Sequence, residues 1–182
     1  SRRRHTRFRN VTGVQTCALP ISDLVMIGHA ERREFSDDES SVAAQLEQAS
    51  KSRLRILYCI GESQVTKDRN KLRTFLHRQL RPLAKIKTPL LVAYEPVYSI
   101  GASGKPADPE YVASALEIIA KALDQAGKSR VPILYGGSVS AANAGLYAAL
   151  PNCQGLFVGR SAWSARGFSS VFRAGYRGFF AT

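Results

Sequence analysis

Leu91-Val92-Ala93-Tyr94-Glu95-Pro96-Val97 is an apolar run without polar alternation, and it ends in a carboxylate followed by proline. Such a run reads as a strand buried on both faces, from Leu90 to Tyr94, and Pro96 stops it because proline cannot extend the hydrogen-bond ladder. The same reading repeats on either side. Asp23 to Ile27 leads into Gly28-His29, and Arg55 to Ile60 is closed by Gly61-Glu62-Ser63. Val131 to Tyr135 leads into Gly136-Gly137-Ser138, and Gln154 to Val158 into Gly159-Arg160.

Helical segments separate these strands. Asp37 to Ser50 is expected as a helix with Asp37 or Ser36 as its cap and acids in its first turn. Val65 to Leu80 places Val65, Leu72, Phe75, Leu76 and Leu80 on one face. Pro109 to Ala126 starts on a proline suited to a first helical turn. Ala141 to Leu150 and the tail from Phe168 complete the set. Strands alternating with helices predict an α/β fold with a parallel sheet covered on both faces. The pattern alone leaves open whether the sheet is doubly wound or part of a barrel.

The chain has 182 residues, 45% of them hydrophobic, which suffices for one buried core. No apolar run reaches membrane-spanning length, and no signal peptide is legible. No Gly-x-Gly-x-x-Gly follows a strand and no Gly-Lys-Ser/Thr loop is present, which disfavours both common modes of nucleotide binding. The net charge of +12 suggests nucleic acid, but five arginines lie in residues 1–21, which contain no acid. The remainder carries 21 basic against 14 acidic residues, scattered over helical faces without aromatic interleaving. No nucleic-acid or membrane partner is expected. Cys59 and Cys153 fall in or beside strands and read as small buried residues of a reducing cytosol.

Residues 1–21 read as foreign to the fold. Val11-Thr12-Gly13-Val14-Gln15-Thr16-Cys17-Ala18-Leu19-Pro20-Ile21 can be encoded in frame by a string that resembles a sequencing-library adapter. On this reading the five arginines, His5 and Cys17 carry no function, and native sequence begins near Ser22.

A carboxylate and an imidazole at the ends of two parallel strands suit a particular chemistry. One group removes a carbon-bound proton while the other polarises the neighbouring carbonyl, as an aldose–ketose isomerase requires. Each residue alone has a plainer reading, Glu95 as a strand-end ion pair and His29 as a satisfied structural group.

Six motifs in order strengthen the chemical reading: Gly28-His29-Ala30-Glu31-Arg32-Arg33, Cys59-Ile60-Gly61-Glu62, Ala93-Tyr94-Glu95-Pro96-Val97, Ile100-Gly101, Tyr135-Gly136-Gly137-Ser138-Val139 and Gly155-Leu156-Phe157-Val158-Gly159. Together they resemble the triosephosphate isomerase family from about residue 23 onward. The resemblance implies a (β/α)8 barrel with its site at the C-terminal strand ends. The five strand–helix units of residues 22–182 would be the fourth through eighth.

The resemblance further implies roles, in a family that is itself a standard worked case of tuned acid–base catalysis. Glu95 would shuttle the proton through an enediolate, and His29 would be the uncharged hydrogen-bond donor to the substrate oxygens. Gly101, Ser138, Gly159 and Arg160 would hold the phosphate, with Glu31, Tyr135, Gly136 and Gly137 in support. Arg32 and Arg33 read equally as structural ion-pair residues and as functional ones. Pro96-Val97-Tyr98 and Lys105-Pro106-Ala107 would hinge a lid that excludes water. A phosphorylated three-carbon sugar, a cytoplasmic homodimer in glycolysis and gluconeogenesis, and no metal or cofactor belong to the same implication.

The chain departs from the family pattern at Tyr98, where tryptophan is usual, and at Ala30, where serine is common. The stretch Ser99 to Gly104 is about one residue longer, and Gly159-Arg160 replaces a double glycine. These changes resemble a bacterial branch that includes isomerases of four-carbon ketose phosphates. The first three units, with an asparagine and a lysine of the site, have no counterpart in residues 1–21. The 182-residue chain alone is therefore expected to be an inactive fragment, whose remaining capacity could be limited to binding phosphate.

Overall fold

The computed structural model describes residues 22–52, 54–100 and 104–181. Gly101, expected to contact phosphate, lies outside the described residues, as do His5 and Cys17. Five strands, β1 (Leu24–Ile27), β2 (Arg55–Ile60), β3 (Leu90–Tyr94), β4 (Ile133–Tyr135) and β5 (Gly155–Leu156), form one sheet in sequential order. Every pairing is parallel, with Ile27 opposite Tyr58, Ile60 opposite Tyr94, and Tyr94 opposite Tyr135. The register therefore brings the carboxyl ends of β1, β2, β3 and β4 to one level.

Among the described residues six α-helices connect and flank the strands: α1 (Ala30–Phe35), α2 (Glu39–Ser50), α3 (Arg69–Leu80), α4 (Pro109–Gln125), α5 (Ala144–Ala148) and α6 (Ala165–Phe179). Sequence periodicity misses α1, which is only six residues long. That helix shifts the next cap. Asp37 turns back to Arg32 of α1 at 2.9 Å, so Asp38 caps α2 by accepting the Ser41 amide at 2.7 Å. Asp68 caps α3 by accepting from the Asn70 and Lys71 amides, which leaves Val65 ahead of the helix and exposed rather than on its buried face. Asn143 accepts the Ser140 amide at 2.7 Å and donates to the Ser138 carbonyl at 3.0 Å. This turn delays α5 until Ala144, later than the expected Ala141.

The core decides between the two windings left open above. Leu46, Leu76, Leu116, Tyr147 and Val171 from five helices join one cluster with Ile56, Tyr58, Val92 and Tyr135 of the strands. The alternate strand residues Leu57, Cys59 and Ala93 form a second, small cluster to which Leu91, Leu134 and Phe157 add, and no helix contributes. Both faces are covered, as expected, but helices cover only one of them. This is the winding of a partial (β/α)8 barrel, in which side chains fill the interior. Among the described residues β1 and β5 each pair with one strand only, and no helix there is long and apolar enough to cross a membrane.

Leu76 is fully buried in the larger cluster, on the α3 face that it shares with Leu72 and Leu80. Leu76→Ala should destabilise the protein by about 2–5 kcal/mol, combining lost transfer energy with a residual cavity. A lower denaturant midpoint at unchanged slope is the expected signature.

Candidate active site

Gly28 ends β1 with φ at 73°, a conformation that costs glycine little, and the turn delivers His29 to the end of the sheet. Tyr94 ends β3 and delivers Glu95, whose amide donates to the Ile60 carbonyl at 2.6 Å. The two side chains meet, with His29 Nε2 lying 3.4 Å from Glu95 Oε1. The Ala30 amide donates to Glu95 Oε2 at 3.2 Å, and the Cys59 thiol also hydrogen-bonds this carboxylate. The Glu95 side chain is 1% exposed, that of His29 22%.

Burial pushes the Glu95 carboxyl above the ordinary carboxylate range, because the charged form is deprived of water. His29, the Ala30 amide, the Cys59 thiol and the Arg33 guanidinium pull the other way, in descending order. Burial likewise pushes the Cys59 thiol well up, so that it serves as a donor.

Both groups face a cavity of about 290 Å³ that Glu31, Ser99, Gly136, Gly137, Ser138, Gly159 and Arg160 also line. Of the expected site residues, all but two therefore share one cavity. Gly101 lies outside the described residues, and Tyr135 sits beneath the site, its ring 4.3 Å from that of Tyr147. Gly136 proves to be more than a tight turn. A Cβ there would stand 2.9 Å from Glu95 Cγ and 3.0 Å from the Phe157 ring, so a side chain would displace the carboxylate.

Several groups escaped the sequence reading. Phe157 presents its ring at 87° to His29, with centroids 6.2 Å apart, and fixes the imidazole from the interior cluster. Trp163 lines the cavity although 80% exposed. Glu62, 4% exposed, accepts from the Tyr94 hydroxyl at 2.9 Å and the Tyr111 hydroxyl at 3.1 Å, tying β3 to α4. Burial pushes its carboxyl up, while these hydroxyls act against that shift.

The two arginines also divide. Arg32 takes the structural reading, in an ion pair with Asp37. Arg33 bonds carbonyls instead. Its Nε donates to the Gly28 carbonyl at 2.7 Å, one terminal nitrogen to the Gly61 carbonyl, and the other to the Glu95 carbonyl at 3.4 Å.

A sequentially ordered parallel sheet with helices on one face, and a carboxylate meeting an imidazole at its carboxyl strand ends, define part of a β/α barrel with a candidate site where such barrels carry theirs. A model of the triosephosphate isomerase family matches residues 20–175. The chain belongs to that family. It is 37% identical over 158 residues to an L-erythrulose-1-phosphate isomerase of Rhizobium meliloti, a match covering 83% of this chain and 62% of the relative. It is 36% identical over 154 residues to a triosephosphate isomerase of Campylobacter concisus, covering 84% and 65%. An L-erythrulose-1-phosphate isomerase of Brucella abortus is 39% identical over 157 residues, covering 82% and 61%. The chain thus spans 61–65% of the length of these relatives.

Proposed function

We propose that this site interconverts a short phosphorylated ketose and its aldose isomer by moving one proton between adjacent carbons. Glu95 is the base, and His29 hydrogen-bonds the oxygens of the enediolate. The observation that carries the reading is the 3.4 Å approach of His29 Nε2 to Glu95 Oε1 across one small cavity. Both groups line that cavity, so a substrate lying against the pair can offer a carbon to Glu95 and the adjacent oxygen to His29. Ser138, Gly159 and Gly101 supply amides for the phosphate, and glycine permits the close backbone approach. The segment from Pro96 onward acts as lid, its entry held by the Ser99 hydroxyl on the Pro96 carbonyl at 2.9 Å. Residues 22–182 supply the last five strand–helix units of the barrel. The full-length enzyme is proposed to be a cytoplasmic homodimer without cofactor.

Dihydroxyacetone phosphate and D-glyceraldehyde 3-phosphate are the first substrate reading. A second is a tetrulose phosphate, favoured by Arg160 and Trp163 on the cavity wall and by the names of two relatives. One hydroxymethyl group is a difference that wall residues of this size can discriminate. The test is kcat/KM of the full-length enzyme with both substrates, and absence of proton exchange on either would overturn the common reading.

Arg160 separates the two further. If it braces the wall, Arg160→Gly should change the ratio of kcat/KM between three- and four-carbon substrates. If it contacts phosphate, binding of both should weaken alike, by ~1–3 kcal/mol for a lost charge-assisted bond. The changed ratio is the expected result.

A further inference from the structure

We propose that Arg33 is a positioning residue, whose single guanidinium joins the carbonyls of Gly28, Gly61 and Glu95 and so sets His29 against Glu95. The proposal rests on the reading of those two side chains given above.

The three carbonyls belong to the residues at which β1, β2 and β3 leave the sheet. Gly28 immediately precedes His29, and Gly61 precedes Glu62, the carboxylate that ties β3 to α4. The Glu95 carbonyl belongs both to the proposed base and to the peptide entering Pro96, where the lid begins. One planar fork therefore reaches the backbone of every element that places the reacting groups.

A guanidinium presents its donors at fixed angles, so three acceptors bound to it are held at a fixed spacing, which an ammonium cannot do. Its cost points the same way. Among the described residues no carboxylate oxygen lies within ion-pair distance of Arg33, although the residue is largely withdrawn from water. Burying a cation against carbonyls alone is expensive, and plain packing would be achieved more cheaply by an apolar side chain. Close backbone approach adds a further constraint: a Cβ on Gly61 would overlap the Glu95 carbonyl. The bridge thus spans two segments already in contact, where a small shift moves the base directly.

Because Arg33 bonds the Glu95 carbonyl and not its carboxylate, it leaves both carboxylate oxygens to His29, Ala30 and Cys59. Its charge still acts on the carboxylate through space. The groups facing Glu95 are then His29 and the Ala30 amide from the β1 end, Arg33 from α1 and Cys59 from β2.

The experiment compares Arg33→Lys, Arg33→Ala and Glu95→Gln in the full-length enzyme. Both Arg33 variants should lose roughly 10²-fold in kcat per folded molecule, as expected for a misplaced base, with KM changed by less than about threefold. The acid limb of kcat/KM should move to higher pH in Arg33→Ala and stay close to wild type in Arg33→Lys, which keeps the cation. Added guanidinium ion, below denaturing concentrations, should restore part of the Arg33→Ala turnover, and methylammonium should not. Wild-type kcat in either folded variant, or a loss that only tracks the folded fraction, would overturn the proposal. Should neither variant fold, nuclear magnetic resonance of the wild type decides. Slow guanidinium rotation with couplings from Arg33 nitrogens to the three carbonyl carbons supports it, and a freely rotating guanidinium overturns it. Retained turnover in Glu95→Gln would instead overturn the reading of the site itself.

Discussion

Glu95→Asp in the full-length enzyme is expected to lower kcat by roughly 10²-fold or more while KM moves little. The shorter side chain withdraws the carboxylate by about one carbon–carbon bond. The surroundings cannot follow it. Gly136 packs against Glu95 Cγ, the Ala30 amide holds Oε2, and His29 approaches Oε1, so the wild-type carboxylate is located from three sides. Aspartate would keep the charge but vacate that position. The pH profile supplies an independent check. The base works only when ionised, and burial raises its pKa above the ordinary carboxylate range. Activity should therefore fall as pH drops through a midpoint higher than the ~4.3 of a free glutamate. Steady-state kinetics across pH measures both quantities. Wild-type kcat in Glu95→Asp would remove Glu95 from the proposed mechanism.

His29→Gln should give the second large effect, again roughly 10²-fold in kcat, the typical value of one positioned proton-transfer or oxyanion group. Glutamine still offers an N–H donor, but not at the place where Nε2 stands. That place is set by the Gly28 turn and by the perpendicular Phe157 ring, and a flexible amide is held by neither. Substrate binding should suffer less, because the proposed phosphate contacts lie on Ser138 and Gly159, other residues of the cavity wall. Separate measurement of kcat and KM checks this. A rise in KM at constant kcat would assign His29 to binding alone.

Arg33 and Glu95 respond to different probes. Shortening Glu95 moves the reacting atoms themselves, and no added guanidinium ion should repair it. The rescue expected for Arg33→Ala is thus specific to the carbonyl bridge, and performing it on Glu95→Asp provides the matching control.

Strand identity was legible in the chain because it depends on local composition. Arg55 to Ile60 and Leu90 to Tyr94 are strands over the residues expected, since an unalternating apolar run has few other stable uses. The same locality placed Pro109 at the start of α4, where the Asp108 carboxylate accepts the Tyr111 amide at 3.0 Å. His29 and Glu95 were found because each directly follows a strand, or the glycine that ends it, and parallel strands bring such positions to one end of the sheet. Caps were less legible. Asp37 and Asp38 are adjacent and chemically alike, and only the packing of Arg32 on α1 decides which remains for α2.

Tertiary structure alone decided the rest. Periodicity records that a strand is buried on both faces, but not whether a helix or a neighbouring strand's side chains cover each one. The barrel-type winding appears only when Leu57, Cys59 and Ala93 are seen to form a cluster without helices. The partners of Arg33 lie 5, 28 and 62 positions away, and they come together through the β1–β2–β3 register. A carbonyl has no side-chain signature, so no residue pattern could mark those bonds. Gly136 likewise reads as a turn until the register sets it against Glu95 Cγ. Residue order therefore determined which groups stand at the strand ends, and the sheet's register and close backbone contacts determined how they face one another.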